Sequence, residues 1–414
     1  MKCILKNDKK LLELTLKTWN SESNGMFDYS LYSVIEIKAS IDKDTYVVLT
    51  KNNNFINVDQ HESIKTKDGD CLIFQVNNGN YNTYYLVNPI PKKLKMTETN
   101  FLYINTKMWL VIKTEGADED NNCNEDYYIN INDILKFGRV KYAVQKIYLK
   151  KEENSINADE PPKPLGELQY NVSNLNKGKD PTFDFIFEVE KDCYDKGIYE
   201  KDANKNQIDY SECEICREDK NDNIENDNDG DNFLISFCEC EKIHFKCLKK
   251  KINKNIRYNE RNKQCDYNIL ITKFECPKCK MQYPLHFKLP NDDKIYNLID
   301  IQEPTDCDYI ILESIDYKID ESYCKSIHII KFLKDYITIG RESENDVIDT
   351  DISISRKHAI LKYCKESGKI CIENRSKKFG SLVLIKEPIK VLDKKIFLQV
   401  GRTYIECNLK NKEA

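Results

Sequence analysis

The sequence predicts a multidomain, mainly β protein, and three observations lead there. Short apolar and β-branched runs separated by turn residues fill the region 28–150 and again the last hundred residues. Eight cysteine and histidine residues fall in four close pairs between residues 213 and 279, a density suited to bound metal rather than to an apolar core. A polar stretch, 151–211, with the cluster Pro161-Pro162-Lys163-Pro164, reads as a linker. At 414 residues the chain can hold two to four domains, each with its own core. The expected order is a segment 1–27, a β-rich domain 28–150, the linker, a finger 212–290 and a β-sandwich 306–411.

From the start of the chain, the apolar spacing of Leu11 to Trp19 predicts one amphipathic helix. Strands are expected at Ser33–Ile37, Thr45–Leu49, Cys71–Val76, Tyr84–Val87 and Trp109–Ile112. Lys67-Asp68-Gly69-Asp70 supplies a tight hairpin turn, and the acidic run 116–126 reads as a loop. Ile134 to Val144 and Phe397 to Cys407 share one pattern: apolar strand, Gly-Arg turn, apolar strand. That echo suggests two related sandwiches, although any hairpin can produce it. Phe183–Val189 is an apolar island within the linker.

The bulk composition excludes several classes. Charged residues make up 32% with a net charge of only −5, so no large basic surface is expected and nucleic acid is not an expected partner. Lys2, Lys6, Lys9 and Lys10 are scattered among apolar residues with no signal-peptide core, and no run reaches the length a membrane helix needs. The 17 cysteines are therefore expected as thiols and thiolates in a reducing compartment, and the protein as soluble and intracellular. There is no P-loop, dinucleotide fingerprint or catalytic triad motif.

The finger ligands are Cys213-x2-Cys216, Cys238-x-Cys240, His244-x2-Cys247 and Cys276-x2-Cys279. Zinc takes four ligands in a tetrahedron, so four pairs imply two zinc ions. Cys265 fits no pair and is expected as a buried or free thiol. The loop Asp219–Asn232 matches a calcium loop only in part and reads as solvated. Four cysteines, one histidine and three cysteines in this order resemble the RING-variant (RING-CH) finger. The resemblance implies a cross-brace: Cys213, Cys216, His244 and Cys247 on one zinc, Cys238, Cys240, Cys276 and Cys279 on the other. It also implies recruitment of a ubiquitin-loaded conjugating enzyme, with Ile215 as apolar contact, Pro277 in the last pair and Lys280 directly after the final ligand. The sequence departs from that family in the short gap between Cys240 and His244, and in Lys251 near the expected aromatic.

Downstream come Tyr336-Ile337-Thr338-Ile339-Gly340-Arg341, Asp346-Val347 and Ser353-Ile354-Ser355-Arg356-Lys357-His358, then Ser376 to Ser381. This series resembles the forkhead-associated (FHA) domain, a β-sandwich whose loops at one end bind phosphothreonine. A phosphate calls for a fixed guanidinium and for hydroxyl and amide donors. The resemblance implies that Arg341, Ser355, Arg356 and Ser381 bind the phosphothreonine, with Gly340, His358 and Gly380 in structural roles. The family's Asn-Gly-Thr reads here as Phe379-Gly380-Ser381, with one residue inserted after Ser376. The combined order resembles RING-variant-plus-FHA proteins of ciliate protists. Two functions are expected from it. One is a RING-type E3 ubiquitin ligase that selects phosphorylated targets. The other is a non-enzymatic, phospho-dependent adaptor, cytoskeletal or ciliary, with a structural zinc finger.

Overall fold

A computed structural model of the chain describes residues 10–19, 26–30, 34–49, 55–59, 71–79, 83–87, 107–112, 127–150, 213–217, 233–238, 240–258, 265–288, 295–315, 318–319, 322–364, 367–391 and 395–411. The turn at 67–70, the acidic run 116–126, the linker with its apolar island, and the loop Asp219–Asn232 lie outside these residues. Among the described residues the protein is mainly β with a single helix, Phe245–Asn253. The strands expected in the first region are present, as Val34–Ile41, Thr45–Leu49, Cys71–Gly79, Thr83–Val87 and Met108–Ile112.

The helix expected at Leu11–Trp19 is instead a strand, Lys10–Trp19. Its apolar residues alternate: Leu12, Leu14 and Leu16 are at most 1% exposed, while the residues between them are half-buried. A period of two suits a sheet face, and tertiary pairing on both sides decides against the helix. The strand lies between Val34–Ile41 and Thr403–Asn411. Burying each of these leucines contributes about 1.5–3 kcal/mol relative to exposure.

A twelve-stranded sheet runs through the molecule in the order Ile256–Tyr258, Asp266–Ile271, Lys325–Lys331, Tyr309–Ile315, Val140–Tyr148, Ile134–Phe137, Ser381–Leu384, Met108–Ile112, Ile396–Val400, Thr403–Asn411, Lys10–Trp19 and Val34–Ile41. From Lys325–Lys331 onward this order is a palindrome about the antiparallel pair Ser381–Leu384 and Met108–Ile112. Each side has two strands, then a hairpin, then the central strand. On each side the hairpin comes from the other end of the chain. The smaller sheets repeat the exchange. Tyr127–Tyr128 pairs with Lys369–Asn374 at the edge of one five-stranded sheet, and Ile389–Val391 pairs with Thr83–Val87 at the edge of the other.

The separate sandwiches expected at 28–150 and 306–411 therefore need correction. Residues 127–148 close the C-terminal sandwich, and 389–411 close the N-terminal one. The reason lies in the echo. The hairpins turn at Gly138-Arg139 and Gly401-Arg402, with glycine φ of 60° and 55° between Phe137↔Val140 and Val400↔Thr403. Positive φ at the first turn residue matches the twist of the flanking strands. Two hairpins of one geometry fit either position, so local pattern alone does not assign them.

Among the described residues four cores lie against the long sheet, one of them around Trp109, Leu382, Phe397 and Tyr404 on its middle strands. Leu12, Leu14, Leu16, Tyr84, Leu86, Leu398 and Ile405 fill the N-terminal sandwich. Phe137, Val144, Ile310, Ile337, Leu361 and Ile372 fill the C-terminal one, which also buries Cys265. The finger residues Phe245, Leu248, Phe287 and Tyr296 pack on Tyr309, Ile311, Ile327 and Ile329, the opposite face of the same strands. Asp266–Ile271, between the third and fourth ligand pairs, pairs directly with Lys325–Lys331. The finger is thus built into the sandwich rather than tethered to it.

Candidate functional sites

The ligands of the finger come together as two groups. Cys213, Cys216, His244 and Cys247 form one, and Cys238, Cys240, Cys276 and Cys279 the other, the ligand atoms of each within 4.8 Å of one another. This is the crossed pairing expected from the resemblance. Four sulfurs around one zinc would stand about 3.8 Å apart, from a Zn–S bond of about 2.3 Å. Three thiolates with an imidazole, and four thiolates, are both donor sets that suit zinc. With four protein ligands each, the sites have no open position for chemistry.

Local backbone sets these clusters. The residue after each C-x2-C, Arg217 and Lys280, has φ of 58° and 64°. Their N–H groups close turns onto the carbonyls of Cys213 and Cys276, at 2.8 and 3.0 Å. His244 is the extended residue before the helix, and Cys247 sits in its first turn. Phe245, Leu248 and Ile252 bury one face of the helix, and Lys250 and Lys251 lie in its last turn, where positive charge is favourable. Burial, together with the neighbouring Cys213 and Cys216 thiols, pushes the Cys247 thiol up to about 12.

Ile215, between the first two ligands, is 43% exposed. Pro277 and Lys280 are exposed as well. The Lys280 ammonium lies 3.1 Å from the buried carboxylate of Glu275, which also accepts the Tyr323 N–H at 2.9 Å. Burial works to raise the Glu275 carboxyl, but the Tyr323 N–H and the Lys280 ammonium outweigh it and hold it below its usual range. Lys251 stands 3.9 Å from the buried Glu241, which accepts the Tyr283 hydroxyl.

At the far end of the C-terminal sandwich, three loops are tied together. Arg341 N–H donates to the Ser355 carbonyl at 3.0 Å, and Glu342 N–H to that of Arg356 at 3.2 Å. Gly340 permits this approach, since a Cβ there would lie 2.2 Å from the Arg356 carbonyl oxygen. The Asn345 amide donates to the same oxygen at 2.7 Å. The Ser355 hydroxyl meets the Ser376 hydroxyl at 2.7 Å, joining the second loop to the third. His358 is fully buried, accepts the Ser355 N–H at Nδ1 (3.0 Å) and donates from Nε2 to the Gly380 carbonyl (2.9 Å). Burial pulls its pKa down to about 4, against the opposing pull of Gly380 and Asp349, so the ring is neutral.

Arg341 and Arg356 are exposed, and Ser355 is half-buried. These three residues stand on the tied loops. Ser381 does not join them: it is fully buried, and its hydroxyl donates to Asn374 Oδ1 at 3.0 Å. Ser376, which sequence reasoning passed over, lies beside Ser355; it is itself buried, and its hydroxyl also accepts the Phe379 N–H at 3.3 Å. The insertion after Ser376 was the signal, because it moves the loop hydroxyl to an earlier residue. Gly380 has φ of 64° and packs against the Tyr29 ring.

Residues 337–402 match the FHA domain family. The match begins in the strand Tyr336–Gly340 and ends at the Gly401-Arg402 turn. It therefore covers the three tied loops of the FHA domain, and runs on through the first strand of the hairpin that closes the other sandwich. The finger gives no match to the RING-CH family. No curated protein matches the chain. Among the described residues, no helix is long and apolar enough to cross a membrane.

Proposed function

We propose that this protein reads phosphothreonine through its FHA loops and acts as a RING-type E3 ubiquitin ligase on the phosphorylated targets it selects. The observation that carries the reading is the tying of the Arg341, Ser355 and Ser376 loops to one another around the neutral His358. It presents a guanidinium and hydroxyls from a rigid frame, which is what a phosphate of charge about −1.5 to −2 requires.

In this reading Cys213, Cys216, His244 and Cys247 hold one zinc, and Cys238, Cys240, Cys276 and Cys279 the other. The metal fixes the fold of the finger and takes no part in bond making. The exposed Ile215, with Pro277 and Lys280 beside the last pair, forms the contact for a ubiquitin-conjugating enzyme. Transfer then proceeds by raised effective concentration of the loaded enzyme at the bound target, with no covalent intermediate on this chain. Reduced thiols at Cys324 and Cys407 suit a reducing, intracellular compartment.

Two observations favour the adaptor reading instead. Lys280 is engaged with Glu275, and the strand Asp266–Ile271 makes the finger part of the sandwich sheet. Both fit a finger whose zinc serves stability. The experiment is autoubiquitination by the full chain against a panel of conjugating enzymes, alongside titration with a phosphothreonine peptide library and its unphosphorylated twin. Chain formation with phosphate-dependent binding supports the ligase. Phosphate-dependent binding without transfer leaves the adaptor.

A further inference from the structure

The loop that carries Ser355 and Arg356 is braced from 214 residues away in sequence. The Gly138-Arg139 turn lies against it. The Arg139 N–H donates to the Ser353 hydroxyl at 3.0 Å, and Arg139 Nε reaches the two Asp351 oxygens at 3.1 and 2.8 Å. Asp351 in turn accepts the Ser353 N–H at 2.9 Å and its hydroxyl at 2.7 Å. Further along the hairpin strand, the Tyr142 hydroxyl donates to Asp349, whose other oxygen accepts the Asp351 N–H at 2.9 Å. Gly138 leaves no room for a side chain, since a Cβ would lie 2.5 Å from the Ser353 carbonyl oxygen.

We propose that Arg139 is a positioning residue for phosphothreonine binding: through Asp351 and Ser353 it holds the loop that presents Ser355 and Arg356. This rests on the phosphothreonine reading above and extends it. The reader is a composite, its loop set by a hairpin that precedes the whole finger in the chain. Arg139 does not touch the ligand. It acts by removing conformations from the loop, so that less ordering is left to be done when a phosphate binds. Supporting charge is present at the joint. Burial works to raise the Asp351 carboxyl, but the Ser353 donors and the Arg139 guanidinium outweigh it and hold the group below its usual range. The pair is half-open, with the Asp351 side chain 13% and the Arg139 side chain 50% exposed, so removing it spares the core.

The symmetry of the fold supplies the control. Arg402 occupies the same place in the matching turn of the other hairpin, which closes the N-terminal sandwich.

The test uses the full chain and two readouts: affinity for a phosphothreonine peptide drawn from the library, and amide hydrogen exchange across residues 349–356 without peptide. Arg139→Ala is expected to weaken binding roughly two- to fivefold, in line with a partly exposed ion pair. Exchange at Asp351 to Ile354 is expected to speed up, with the thermal midpoint nearly unchanged. Arg139→Lys is expected to recover part of both, and Arg402→Ala to change neither. Because the route passes through Asp351, Arg139→Ala added to Asp351→Asn is expected to weaken binding little further. Unchanged affinity in Arg139→Ala overturns the proposal, whatever the exchange does. So does an equal loss in Arg402→Ala, which would mark a general stability effect. If the wild-type chain binds no phosphothreonine peptide, the reading of the FHA loops fails and takes the binding role of Arg139 with it. The exchange readout then still decides whether the hairpin holds the loop.

Discussion

His358 Nε2 donates to the Gly380 carbonyl at 2.9 Å, a hydrogen bond that ties the second loop to the third. The ring is buried and neutral, with its pKa pulled from the ordinary 6.5 to about 4. The unfolded chain takes up a proton below its own value while the folded one does not. The contribution to stability is therefore complete above pH 6.5 and is lost as pH falls from there towards 4. The loss approaches about 1.4 kcal/mol per pH unit within that window. A plot of stability against pH for wild type and His358→Gln will differ in slope there, and equal slopes would contradict the neutral assignment.

His328 works in the opposite sense. Its Nδ1 lies 3.0 Å from Asp266, a buried ion pair between the finger's strand and the sandwich. Burial lowers its pKa, but the charge and hydrogen bond of Asp266, with a further pull from Asp349, outweigh burial and raise it. Its contribution is present below the unfolded value and is lost as pH rises through the folded one. Asp266→Asn is expected to destabilise the chain mainly at acidic pH, read from denaturant midpoints at about pH 5.5 and about pH 8, below and above the ordinary histidine value. Equal losses at both would refute the pairing.

Arg341→Ala is expected to weaken phosphothreonine binding about ten- to a hundredfold, since a charge-assisted hydrogen bond contributes roughly 1.5–3 kcal/mol. Arg341→Lys will recover little, because a point charge does not reproduce a forked contact. Calorimetric titration decides it. A lysine variant that binds as wild type would mean that charge alone is read.

Ser376→Ala and Ser381→Ala separate the two hydroxyls. The first removes a buried hydroxyl that meets Ser355 and accepts the Phe379 N–H, and is expected to reduce peptide affinity and also to cost about 1 kcal/mol of stability. The second breaks a buried hydrogen bond to Asn374 and is expected to cost about 1 kcal/mol of stability, leaving the intrinsic affinity close to wild type. The reverse outcome would return Ser381 to the binding site.

Elemental analysis of the purified chain is expected to give two zinc ions. Ile215→Ala is expected to keep both and to abolish ubiquitin transfer if the finger is a ligase. Fewer than about one and a half ions would remove one of the sites, given four ligands per ion.

Much of this was legible in the sequence because it is local. C-x2-C turns, the Gly340-Arg341 step and the Ser355 to His358 run each declare their geometry within a few residues. The strand at Lys10–Trp19 was misread because four leucines in six residues, Leu11, Leu12, Leu14 and Leu16 among polar ones, satisfy both a helical stripe and a strand face. Only its partners at Val34–Ile41 and Thr403–Asn411 separate the two. The bracing of Asp351 by Arg139 had no local signal at all. The echo between the two Gly-Arg hairpins was visible, but which sandwich each one closes is a property of the whole chain.

The exchange of hairpins also dictates an order of events in the making of the protein. Lys17 and Glu406 meet at 2.8 Å although 389 residues separate them. The N-terminal sandwich cannot close with its native hairpin until residues 396–411 have left the ribosome, roughly 20 to 80 s after its first strand at usual elongation rates. From about a third of the way into that interval the Gly138-Arg139 hairpin is present, with the same Gly-Arg turn as the missing one. It can close the nearer sandwich first, and must then be displaced before the C-terminal sandwich can claim it. Loop-closure entropy favours that early partner.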